Sequence, residues 1–299
     1  MSKLSLYYNI RAVKGGASIK KIIVAEYAGF CFGVKRAVDI ALKDSKNKKG
    51  SSYSLGPLIH NADVVAYLES QGIYQIDIEE LDKLSEKDKI VIRSHGVGPD
   101  TIKRIKSLGP EIIDATCPYV ASIHRKVEKY HSKGYQIIIV GDKDHPEVEG
   151  INGWCDNKAW VTKDGEDLRN LSEKVCIVAQ TTERQESFDQ VVKRATELGA
   201  DIMAFNTICS ATKERQDSAE HVSKQVDFMI VIGGKNSSNS RKLYSICKSN
   251  CPNTIFIENG KELKKHILEL QEVDSIGVTA GASTPNWIIE DVLKILEAC

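Results

Sequence analysis

Three cysteines, Cys31, Cys117 and Cys209, stand 86 and 92 residues apart, with 90 residues after the last. Each follows a short apolar run (KKIIVAEYAGFC, EIIDATC, DIMAFNTIC) and each precedes a stretch of helical pattern. A cysteine at a helix start meets free backbone N–H groups and the positive end of the helix dipole, which favour the thiolate. Three such thiolates could hold a soft metal centre: an iron–sulfur cluster, zinc or Cu(I). Spacing this long does not choose among them, and three structural thiols in a triplicated fold satisfy it as well. Cys155, Cys176, Cys247, Cys251 and Cys299 fall outside the repeated position, and Cys247 and Cys251 are near enough in sequence to share a metal. No CxxC pair occurs, so a zinc ribbon or thioredoxin-type site has no local support.

Polar loops repeat in step with the cysteines. His60, His145 and Ser237 come 29, 28 and 28 residues after them, in SLGPLIHN, IIIVGDKDHPEVEG and MIVIGGKNSSNSRK. A second set follows in KIVIRSHGVGP, VCIVAQTTERQ and SIGVTAGASTP: His95 and Thr181 at 64 residues and Ser283 at 74. GGKNSSNS, with Ser237, Ser238 and Asn239, offers backbone and side-chain donors to an anion, although such runs also simply cap helices. It lacks P-loop spacing. His145 and Glu147 could act as an orienting group and a proton source, with Pro146 expected to prevent regular helix there; the alternative is an exposed acidic loop. Thr181 and Thr182 at a strand end also fit helix capping. His124, His131, His221 and His266 read as surface or packing residues.

What must position these groups is an α/β unit repeated three times at about 90 residues. Short strands IYQIDI, KAWVTK and TIFIEN separate the two loop sets. Helices with apolar spacing close the units, the first two ending in Leu-Gly stops. The helix after Cys209 is polar and reads as the more exposed. Strands alternating with helices predict largely parallel sheets, with ligands gathered at the carboxyl ends of the strands. The expected division is a leader over 1–20 and α/β units over 21–114 (Cys31), 115–206 (Cys117) and 207–299 (Cys209), the last with a C-terminal helix. A pseudo-threefold arrangement would bring nine polar loops to one centre.

Lys and Arg (41) balance Asp and Glu (41), which removes the electrostatic argument for nucleic acid or a membrane surface. No apolar run approaches a membrane span, and a cytoplasmic chain is expected. A zinc hydrolase would lack an HExxH-type pair here.

FCFGVKRAV, GPLIHN, RSHGV, DATCPYV, GDKDHPEVEG, QTT, NTICSATKERQ, GGKNSSNS and AGASTP occur in this order. Together they resemble the 4-hydroxy-3-methylbut-2-enyl diphosphate reductase family, from about residue 21 to the C-terminus. The resemblance implies three α/β domains around one [4Fe–4S] cluster with Cys31, Cys117 and Cys209 as ligands and one iron lacking a protein ligand. It assigns His60, His95, Ser237, Ser238, Asn239 and Ser283 to the diphosphate, His145 and Thr181 to the substrate hydroxyl, and Glu147 to proton donation. It implies reductive dehydroxylation of the (E)-allylic diphosphate to isopentenyl and dimethylallyl diphosphate, the last step of the methylerythritol phosphate route. An electron donor such as a ferredoxin or flavodoxin with its reductase is expected as partner. A non-catalytic iron–sulfur redox sensor built on the same triplication is the alternative.

Overall fold

The computed structural model describes residues 21–45 and 50–298. The expected leader and Cys299 lie outside the described residues. The elements run β1 (Lys21–Val24), α1 (Phe32–Ser45), β2 (Ser52–Leu55), α2 (Ala62–Ser70), β3 (Ile73–Ile76), β4 (Lys89–Ile92), α3 (Pro99–Leu108) and β5 (Glu111–Asp114). Next come α4 (Pro118–His131), β6 (Gln136–Val140), α5 (Pro146–Gly153), β7 (Trp160–Thr162), β8 (Lys174–Ala179), α6 (Gln185–Glu197) and β9 (Asp201–Phe205). The chain closes with α7 (Ser210–Ser223), β10 (Phe228–Ile232), α8 (Ser238–Asn250), β11 (Thr254–Ile257), α9 (Gly260–Leu263), α10 (Ile267–Gln271), β12 (Ser275–Ala280) and α11 (Asn286–Glu297).

Three four-stranded sheets result, ordered β1-β12-β10-β11, β3-β2-β4-β5 and β7-β6-β8-β9. Every strand pairing in them is parallel. Parallel strands are covered on both faces, which is why the central ones are continuous apolar runs: FMIVI in β10 is buried throughout, as are the last four residues of QIIIV in β6. In β10, Ile230 and Ile232 pack with Val278 and Ile288 on one face, while Met229 and Val231 pack with Ala219 and Leu243 on the other. In β6, Ile137 and Ile139 face Val127 of α4, and Ile138 and Val140 face Phe188 and Val191 of α6.

The chain separates into two compact units. One holds the segment ending at Phe32, residues 60–64 and everything from Ser210 onward, and contains the β1-β12-β10-β11 sheet. The other, residues 33–59 and 65–209, contains the other two sheets. The sheets do not follow the cysteine-first segments. β1, which leads into Cys31, pairs with β12 at the far end of the sequence. β5, leading into Cys117, pairs with β4, and β9, leading into Cys209, pairs with β8. Each cysteine therefore lies in the loop that follows an edge strand of one sheet, directly before a helix that leads to a strand of another.

One local expectation is corrected. Pro146 does not prevent helix: it is the first residue of α5, where its missing N–H costs nothing, and His145 is the N-cap. The polar helix α7 presents, as expected, more exposed residues than α1 or α4, although Ala219 and Val222 pack on the sheet and Arg215 is buried. The Arg215 guanidinium is satisfied there by the carbonyls of Gly29 and Ala211.

Candidate active site

In the first unit the strand ends of one sheet carry Cys31, Ser237 and Ser283. Cys31 directly precedes α1, and its N–H donates to Ala282 O at 3.2 Å, so it lies against the loop of Ser283. Gly29, two residues earlier, has φ +96, and its carbonyl accepts from Arg215 Nη2 at 2.6 Å and Nε at 3.2 Å. Arg215 thus fixes the turn that presents Cys31, a role the motif NTICSATKERQ contains but spacing alone did not single out.

Ser237 caps α8, its side chain accepting from Ser240 N at 3.3 Å. Ser237, Ser238, Asn239 and Ser283 are all buried. Asn239 is 3% exposed, yet among the described residues neither its Nδ2 nor its Oδ1 has a hydrogen-bond partner. A buried amide with both ends unsatisfied costs several kcal/mol, on the order of 1–3 per group, unless a ligand completes it. Residues 60–64 join this site: Ser283 Oγ lies 3.4 Å from His60 O, and a Cβ on Gly234 would collide with that same carbonyl oxygen. A Gly234→Ala chain is therefore expected to displace the His60 segment and lose on the order of 1–3 kcal/mol of stability by overpacking, read as a lower Tm.

In the second unit, Cys117 and Cys209 repeat the arrangement of Cys31. Cys117 is the N-cap of α4 and its N–H donates to Ser94 O at 3.0 Å, beside His95. Cys209 directly precedes α7 and its N–H donates to Thr181 O at 3.0 Å. So the residue just before a polar-loop member, or that member itself, holds each cysteine in place.

Thr181 also binds the acid. Its N–H donates to Glu147 Oε1 at 2.6 Å and its Oγ1 to Oε2 at 2.7 Å. Glu147 is 2% exposed, so it is not the solvated loop residue of the alternative reading. Its own N–H donates to His145 Nδ1 at 3.1 Å, and the His145 and His95 rings meet edge-on with centroids 5.3 Å apart. His95, His145, Glu147, Thr181 and Cys209 form one connected polar cluster. Gln180, the first residue of QTT and given no role by spacing, braces it: its Oε1 accepts from Asp142 N at 3.0 Å and its Nε2 donates to Thr182 Oγ1 at 2.9 Å.

The remaining described cysteines occupy different environments. Burial pushes the Cys155 thiol up to about 11 and the Cys176 and Cys247 thiols up to about 12. These stay protonated at neutral pH, whereas metal ligation requires thiolate. Cys247 and Cys251 direct their Sγ atoms to the carbonyls of Ala219 and Val226, so the pair close in sequence does not share a metal. Cys31, Cys117 and Cys209 are half-buried at helix starts, a soft donor set that fits an iron–sulfur cluster.

Three parallel α/β sheets, with a cysteine in the loop after one edge strand of each and an acid–hydroxyl pair beside one of them, define a thiolate-bearing α/β protein with enzyme-like polar loops. The LytB protein family model matches residues 22–297, and the chain belongs to that family. A Clostridium perfringens relative, named 4-hydroxy-3-methylbut-2-enyl diphosphate reductase, is 52% identical over 92% of this chain and 98% of its own length. A Clostridium acetobutylicum relative of the same name is 54% identical, and this chain spans 43% of that longer protein. A solved (E)-4-hydroxy-3-methyl-but-2-enyl diphosphate reductase, titled the terminal enzyme of the non-mevalonate pathway, is 43% identical with a TM-score of 0.69 over 93% of this chain and 99% of its own. The reductase structure from Plasmodium falciparum is 27% identical with a TM-score of 0.84, over 92% of this chain and 87% of its own.

Proposed function

We propose that this chain reduces (E)-4-hydroxy-3-methylbut-2-enyl diphosphate to isopentenyl and dimethylallyl diphosphate. The observation that carries the reading is the buried Glu147, both of whose oxygens rest on Thr181 while the Thr181 carbonyl holds the N–H of Cys209. One residue thereby couples an acid to a thiolate donor. A redox sensor would need neither that acid nor the unsatisfied amide of Asn239.

The reaction consumes two electrons and two protons, breaks the allylic C–O bond and releases water. A [4Fe–4S] cluster on Cys31, Cys117 and Cys209 would supply the electrons and a Lewis-acidic iron. Ser237, Ser238, Asn239 and Ser283, with His60 and His95, supply donors to the diphosphate oxygens. Backbone N–H groups at the start of α8 add to them, since a helix N-terminus favours an anion. Glu147 holds the proton, and the Thr181 hydroxyl, which can rotate between donor and acceptor roles, passes it toward the departing hydroxyl. His145, fixed through the Glu147 N–H, orients that hydroxyl. Electrons come from a ferredoxin or flavodoxin with its reductase, in the cytoplasm. Among the described residues no helix is long and apolar enough to cross a membrane.

Anaerobic purification with iron, sulfide and zinc analysis, a visible spectrum and turnover of the allylic diphosphate tests this directly. Zinc in place of iron and sulfide, or a full cluster with no turnover, would overturn it. A narrower check separates anchoring from chemistry: Ser237→Ala and Asn239→Ala are expected mainly to raise KM, each by about 1.5–3 kcal/mol, the worth of hydrogen bonds to a charged group. A fall in kcat at unchanged KM in both would remove them from the diphosphate site.

A further inference from the structure

In each sheet the strand order reverses at one point: between β10 and β12, between β6 and β8, and between β2 and β4. Crevices outside the carboxyl ends at such points are where open α/β sheets bind ligands. The first residue after one inner strand of each sheet (β10, β6 and β2) is a glycine, Gly233, Gly141 and Gly56, and each glycine's missing Cβ leaves room for a polar side chain. At Gly233 that side chain is Ser240, and at Gly141 it is Gln180. These two crevices are the ones already described, holding Asn239 and the Glu147–Thr181 pair respectively.

The third crevice is different. Arg93 follows β4, and its Nη1 would lie 2.6 Å from a Cβ on Gly56. Beyond it opens a cavity of about 310 Å³ lined by Arg93, Gly56, Val97, Asp77 and Glu149, among others. None of the residues assigned to the diphosphate, the hydroxyl or the cysteine set lines it. Among the described residues the Arg93 side chain has no hydrogen bond or ion pair, and its Nε is fully buried. Desolvation lowers its pKa, only partly offset by Glu149 and Asp77. Those two acids, with Glu79 and Asp100, line the same cavity and are exposed, where solvent screens them, so the cavity sets one largely buried cation beside solvent-facing carboxylates.

We propose that this crevice is a second binding site for a small zwitterion. The ligand carries an oxyanion head, phosphate or carboxylate, against the Arg93 guanidinium, and an ammonium group toward Asp77 and Glu149. A guanidinium fork pairs with either head through two parallel N–H···O bonds. The loop that follows Arg93 carries His95, and α5, which lines the opposite wall with Pro146 and Gly150, carries Glu147. Occupancy would thus be felt by both.

Titration calorimetry on the anaerobically purified holoenzyme at low ionic strength tests this with O-phosphoethanolamine, glycine, inorganic phosphate and ethanolamine as probes. O-phosphoethanolamine or glycine, whichever head is accepted, is expected to bind more tightly than inorganic phosphate or ethanolamine. Arg93→Gln is expected to weaken it about tenfold or more, with Arg93→Lys recovering part of the loss. Tm of the variants reports whether they fold, and removal of a side chain without partners predicts little change. No heat from either zwitterion, or equal binding in wild type and Arg93→Gln, overturns the site. Binding that survives Arg93→Gln but disappears in Asn239→Ala places the probe in the β10–β12 crevice and also overturns it. Because the readout is binding, it stands or falls separately from turnover of the allylic diphosphate.

Discussion

Cys117→Ser, purified without oxygen, is expected to lose most of its iron, its visible absorption and all measurable turnover, and Cys31→Ser and Cys209→Ser are expected to do the same. The three share a structural position: a backbone N–H held by a neighbouring polar loop, and a side chain at the start of a long helix. A serine hydroxyl there remains protonated and is a poor ligand for a soft metal. Cys155, Cys176 and Cys247 give the contrast, because their thiols are pushed up to about 11, 12 and 12 by burial. Ala at any of these is expected to keep full iron content while lowering Tm, the cost being a small cavity in the core. Iron and sulfide per chain, with the visible spectrum, read the outcome. An empty cluster in Cys247→Ala alongside a full one in Cys209→Ser would show that Cys31, Cys117 and Cys209 are not the ligand set.

Glu147→Gln is expected to retain its iron and its affinity for substrate and to turn over roughly 10²–10⁴ times more slowly, the usual worth of a positioned acid. The amide keeps the shape and can accept from the Thr181 N–H, but it cannot give up a carboxylic proton. Thr181→Val tests the same path one atom further on. It removes the hydroxyl 2.7 Å from Glu147 while leaving the backbone N–H that holds the other oxygen at 2.6 Å. Single-turnover rates with prereduced enzyme separate proton delivery from electron supply. Wild-type rates in Glu147→Gln at full iron content would take Glu147 out of the mechanism.

Much of the candidate site was legible because its groups recur at nearly constant intervals after Cys31, Cys117 and Cys209. Such spacing survives only when the same strand–loop–helix unit is built each time. Spacing does not single out Arg215 or Gln180, for the opposite reason. Neither repeats, and each matters through a contact: Arg215 with Gly29, 186 residues away in sequence, and Gln180 with Asp142, 38 away. The helix beginning at Pro146 departs from the sequence expectation because proline's exclusion from helix interiors does not extend to the first turn.

The sequence by itself determined the parallel α/β units, the three cysteine positions and the family, since each follows from local periodicity or from ordered motifs. Only the tertiary structure decided which sheet each cysteine strand joins. Lys21 of β1 pairs with Ser275 of β12, 254 residues further along the chain, and no local pattern encodes a pairing over that distance. Tertiary structure also decided which polar groups became buried. Glu147 and Glu149 sit two residues apart on one short helix, yet Glu147 is 2% exposed and Glu149 faces solvent. A helix turns about 100° per residue, so neighbours of one type meet opposite environments once a sheet lies along one face.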